Sequence, residues 1–125
     1  MAHKPEDWPR EFAQHINDGD VDAAAALYVS DATVVSAAGE TLAGRNPIRR
    51  MLSGLVADKA RMEARVVKVV ATASGDEAML YTDWAATMND ASGKPVERRV
   101  KAIEVVREQA DGSWRLVLGD PNGRG

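Results

Sequence analysis

Three carboxylates in the second half of this 125-residue chain stand in settings that suit acid–base chemistry. Glu104 lies in the apolar run Ala102-Ile103-Glu104-Val105-Val106. A carboxyl in such surroundings loses solvation, so its pKa rises and it can give or take a proton near neutrality. The alternative is a structural carboxylate, paired with Arg115 or another arginine across a hairpin. Asp83 adjoins Trp84, and alternation along a regular strand sends only one of the two inward. Either Asp83 is a pocket acid, or it is solvated and Trp84 is core, dimer interface or ligand wall. Asp120, in Gly119-Asp120-Pro121-Asn122-Gly123, reads as a turn residue or as a carboxylate at a pocket mouth. Ser36 reads as a small polar pocket liner, because a nucleophilic serine needs a neighbouring base. Of the two histidines, His3 is near the start of the chain, and His15, beside Ile16, is expected at the surface.

These groups have to be positioned by four long strand-like runs, Arg65 to Thr72, Ala78 to Met88, Val96 to Glu108 and Trp114 to Leu118. Ser74-Gly75-Asp76, the Asn89-to-Gly93 cluster and Asp111-Gly112 separate them, and such residues reach positive φ cheaply, which makes hairpin turns. Several runs exceed the usual five or six residues, so the sheet is expected to bend or bulge into a concave face. Ahead of it, Pro5 opens a helix whose Trp8, Phe12 and Ile16 share one face, stopped at Asn17-Asp18-Gly19. Asp20 caps a second helix, Val21 to Tyr28. A short strand pair, Asp31 to Ser36 and Thr41 to Ala43, leads to a third helix, with Asn46 as cap and Pro47 at the first helical position. Its Ile48, Met51, Leu52 and Leu55 form an apolar stripe. Helices over one face of the sheet leave a pocket shaped by Phe12, Ser36, Met51, Leu55 and Trp84. The other face is also partly apolar, so a homodimer through it is expected.

The chain is 45% hydrophobic, sized for a single domain spanning residues 1–125. With no cysteine there is neither a disulfide framework nor a thiolate nucleophile. No metal-ligand spacing or phosphate loop occurs, so no cofactor is expected. The net charge is −3 with both signs interspersed, which gives no reason to expect nucleic acid. Arg98, Arg99 and Lys101 form the densest basic group and read as a solvated edge, with an anion site as the alternative. No run approaches the roughly 18 apolar residues of a membrane span, and a cytoplasmic protein is expected.

Asn17-Asp18-Gly19-Asp20, Leu27-Tyr28 with Asp31-Ala32-Thr33-Val34, Gly39, Gly44 with Ile48, and Asp111-Gly112-Ser113-Trp114-Arg115 together resemble the NTF2-like superfamily, in particular its SnoaL-like and ketosteroid-isomerase-like small proteins. The resemblance implies an α+β, cystatin-like cone: three N-terminal helices on a strongly curved, mostly antiparallel mixed sheet. It also implies cofactor-free acid–base chemistry of isomerase, cyclase or dehydratase type on a small apolar molecule, or else a non-catalytic ligand-binding or dimerisation module. Set against the isomerase pattern, Phe12 replaces the first-helix tyrosine, Ser36 replaces the aspartate base, and Glu104 keeps a carboxyl at the position of the protonated acid. Phenylalanine cannot donate a hydrogen bond, so classical steroid isomerisation is not expected. Resemblance to limonene epoxide hydrolases is confined to Asp83 in Tyr81-Thr82-Asp83 and to Asp120.

Overall fold

The computed structural model describes all residues, Met1–Gly125. Helix α1 (Asp7–Asn17) buries Trp8, Phe12, Ala13 and Ile16, and its chain turns at Gly19, φ 74°. The side chain of Asn17 then does more than end the helix. Its Nδ2 donates to the Met62 carbonyl at 2.9 Å and its Oδ1 accepts from the Met62 N–H at 2.6 Å, tying α1 to the sheet. Asp20 caps α2 (Val21–Ala25), accepting from the Ala23 N–H at 3.0 Å.

Helix α2 is shorter than the expected Val21 to Tyr28, and Tyr28 belongs instead to strand β1 (Tyr28–Val35). The Leu27 carbonyl is taken by the Trp8 indole at 2.7 Å and by the Leu116 N–H at 2.8 Å. Parallel pairing of Tyr28 with Leu116 follows. Tertiary hydrogen bonds to the Leu27 carbonyl thus set the chain on the path of β1 from Tyr28 onward.

After β2 (Thr41–Ala43), α3 (Arg45–Ala57) starts two residues earlier than Asn46-Pro47 implies. Gly44 is its N-cap at φ 89°, a conformation that L side chains rarely adopt. Pro47 consequently sits third in the helix, where its missing N–H still costs nothing, because the first four amides have no intrahelical acceptor.

The remaining strands are β3 (Arg61–Ala71), β4 (Glu77–Asn89), β5 (Pro95–Glu108) and β6 (Trp114–Asp120), and the six-stranded sheet has the order β2-β1-β6-β5-β4-β3. Only β1 and β6 pair in parallel. The register shifts between Val66 and Lys68 and between Val105 and Val106. The extra residues are Val67 in β3 and Val117 in β6, and such an insertion bends a strand and increases its twist, which curls the sheet around the 13- and 14-residue strands β4 and β5.

Burial along β4 alternates strictly from Ala78 to Ala86, so Leu80, Thr82 and Trp84 face the helices. They join Trp8, Phe12, Leu52, Val106 and Leu116 in one apolar cluster, Thr82 excepted. No helix is long and apolar enough to cross a membrane.

Candidate functional site

A cavity of about 450 Å³ lies between the concave face and the helices. Glu104 stands at its buried end, 5% exposed, opposite Leu80 on β4. Thr82 Oγ1 donates to Glu104 Oε1 at 2.6 Å and Trp84 Nε1 donates to Oε2 at 2.8 Å. Burial pushes the carboxyl up to about 7; the two donors, and the more distant Arg124 charge, pull against that rise. The pairing with Arg115 considered from sequence is not formed. Arg115 is directed instead to Asp111, at 3.9 Å.

Trp84 faces inward and Asp83 outward, which resolves the alternation at that pair. The expectation that Asp83 shares the pocket is corrected. Its carboxylate is held by Arg124 at 2.7 Å and by Arg65 at 3.3 Å, and the hydrogen bond from Arg124, foremost, keeps its pKa low. The pairing of Asp83 with Asp120 on which the epoxide-hydrolase comparison depended is therefore not built.

Asp120 does line the cavity, but its Oδ1 also accepts from the Asn122 N–H at 3.0 Å, so it serves the turn as well. Ser36 lines the cavity, with Oγ accepting from the Glu40 N–H at 3.1 Å. Neither histidine lines it. Phe12, Met51, Leu55 and Trp84 form its apolar wall, and no cluster of three or more His, Asp or Glu side chains stands in metal-holding geometry.

Tyr28 is the residue that sequence reading placed wrongly. Expected at the end of the second helix, it lies instead on β1, buried, with its ring edge-on to Phe12 at 6.0 Å and to Trp8 at 5.6 Å. Burial raises its phenol pKa, and the nearby charge of Glu104 raises it further, so the hydroxyl keeps its proton. The signal was available in Tyr28-Val29, where an aromatic and a β-branched residue follow the alanine-rich turn. Thr82 was also missed, although it lies two residues from Trp84 and therefore on the same face.

The wall and floor of this cavity come from nearly the whole chain, and so does its likeness to other proteins. The model of the SnoaL-like domain matches residues 10–117. A ketosteroid isomerase-like protein from Erwinia carotovora atroseptica superposes with a TM-score of 0.78 at 18% identity, over 92% of this chain and 89% of that one. A proposed dehydratase of the NTF2-like family from Streptomyces avermitilis gives 0.72 at 19% identity, over 90% and 88%. A proposed calcium/calmodulin dependent protein kinase II association domain from Xanthomonas campestris gives 0.73 at 16% identity, over 96% and 86%. A search of curated proteins found no match. At such identities the structural likeness is one of fold. The family model covers most of the chain, which therefore belongs to the SnoaL-like domain family.

Proposed function

We propose that the cavity binds a small, mostly apolar molecule and that Glu104 exchanges a proton with it, in cofactor-free chemistry of isomerase, cyclase or dehydratase type. The observation that carries this reading is a carboxyl buried at the end of an apolar cavity and titrating near neutrality. A general acid or base works best when its pKa lies near the working pH. The Tyr28 phenol supplies a hydrogen-bond donor at the same end, in the capacity that Phe12 cannot fill. A carbonyl oxygen accepting from Tyr28 would gain charge as Glu104 took a proton from the adjacent carbon, and a fixed donor stabilises that charge. Asp120, at the rim, is the second carboxyl within reach of a bound molecule.

Deuterium exchange tests this without knowledge of the natural substrate. In heavy water the protein is expected to speed exchange of the α-hydrogens of apolar ketones such as 2-decanone, and Glu104→Gln to lose that acceleration. No acceleration by the parent protein, or an undiminished one in the variant, would exclude proton transfer by Glu104. The non-catalytic binding module is then the better reading. What favours that second reading is that Glu104 is the only carboxylate among the buried residues of the chain.

A homodimer through the outer face completes the proposal. Val70, Met79, Val105 and Leu118 are successive cross-strand neighbours over four strands. Val70 is 39% and Leu118 48% exposed, so an apolar row crosses the sheet on the side away from the helices. Light scattering is expected to give a dimer mass for the parent protein and a monomer mass for Leu118→Glu. A monomeric parent at high concentration would rule the assembly out.

A further inference from the structure

Alternate residues of a strand project to the same side, so Arg98, Val100, Ala102 and Glu104 form one row on the concave face of β5. Exposure falls along it, from exposed Arg98 through half-buried Val100 to buried Ala102 and Glu104. The row therefore runs from the mouth of the cavity to its closed end, and all four of its residues line the cavity.

The basic group around Arg98 is not uniform. Arg99 also lines the cavity, but its guanidinium is paired with Glu97 at 2.8 Å. Lys101, opposite Asp83, projects from the outer face. Arg98 takes part in none of the ion pairs of the structure. Its neighbour across the hairpin is Ala86, which offers the guanidinium nothing to bind. The one carboxylate in the cavity lining besides Glu104 is Asp120, already accepting from its own turn.

We infer that the cavity takes an elongated, mostly apolar molecule carrying a carboxylate at one end, held at the mouth by Arg98 while the other end reaches Glu104 and Tyr28. A guanidinium presents a planar fork of donors that matches a carboxylate. Six residues of strand span about 20 Å, and the length of the Arg98 side chain shortens the gap a ligand must bridge. The inference rests on the cavity being the ligand site, as proposed above. It does not depend on whether Glu104 carries out chemistry.

Decanoate and methyl decanoate share a chain and differ in charge. Their binding can be followed by tryptophan fluorescence, because Trp8 and Trp84 line the cavity. At low salt the parent protein and Lys101→Met are expected to bind decanoate about fivefold more tightly than the ester, the preference shrinking as salt is added. In Arg98→Met the ratio should fall to about one. Equal affinities in the parent protein, or a preference that survives Arg98→Met, would overturn the role of Arg98 and leave the cavity as a ligand site. Failure of both probes to bind would overturn the elongated ligand itself. Loss of the Arg98 preference alone leaves the deuterium exchange that reads proton transfer by Glu104 untouched.

Discussion

Glu104→Gln is expected to remove a fall in stability that the parent protein shows as pH rises from about 4.5 to about 7. In the unfolded chain the carboxyl loses its proton near its ordinary value of 4.5, and in the folded protein only near 7. Between those values the folded state binds more protons than the unfolded state, so stability declines with rising pH. The stabilising effect of the retained proton is complete below the lower value and gone above the upper one. Each pH unit separating the two titrations corresponds to about 1.4 kcal/mol, which makes the whole effect about 3 kcal/mol. Glutamine is never charged, and its amide can accept from Trp84 while donating to Thr82. The variant should match the parent at about pH 4 and exceed it at about pH 8, by on the order of 10 °C in thermal midpoint. Asp76, Asp83, Asp90 and Asp111 have lowered pKa values. They act in the opposite sense, losing their contribution as pH falls, but they are common to both proteins and cancel in the difference. Parallel curves for the two proteins would mean that Glu104 titrates as an ordinary carboxyl. Glu104→Leu is a poorer probe, because it strands the Thr82 hydroxyl and the Trp84 indole N–H.

Trp8→Ala is expected to destabilise the protein by about 3–5 kcal/mol, measured as a lower urea midpoint with an unchanged slope. Trp8 is 2% exposed, stacks on Phe12 at 5.2 Å and meets Tyr28 edge-on. Its removal opens a void under α1 and releases the ring that holds Tyr28 in place. Trp8→Phe should cost far less, about 1 kcal/mol. The Leu27 carbonyl that loses the indole bond keeps its bond from the Leu116 N–H at 2.8 Å. Equal losses in the two variants would show that the hydrogen bond, and not the packed ring, is what matters.

The elements that could be read from sequence are those whose information is local. Gly19, the Asp20 cap and the three hairpin turns carry their own conformational preferences, and the chain obeys them. The face-to-face alternation of β4 was also legible, but which face turns inward was not. That choice is made by Trp8 and Phe12 arriving from α1, outside the strand. The same holds for the site: Glu104, Phe12, Ser36, Met51, Leu55, Trp84 and Asp120 come together in the cavity lining. Asp83 does not, because Arg124, forty-one residues further along, binds it from the other side. The strand status of Tyr28 likewise depends on Leu116, whose amide reaches across the chain to the Leu27 carbonyl.

Strand β5 is twice the length of β6, and their pairing stops at Ile103 with Asp120. Past that point β5 would present bare backbone to any extended chain that came by. The segment after β6 turns back, and the Arg124 N–H donates to the Lys101 carbonyl at 3.1 Å while Arg124 Nε donates to the Ala102 carbonyl at 3.1 Å. Gly123 eases this approach, since a Cβ there would meet the Ile103 side chain at 3.0 Å, closer than ordinary contact, and would push it aside. Residues 121–125 thus cap the first two residues of β5 beyond its pairing with β6, Lys101 and Ala102, and leave Pro95 to Val100 without a strand partner on that side, next to the cavity wall.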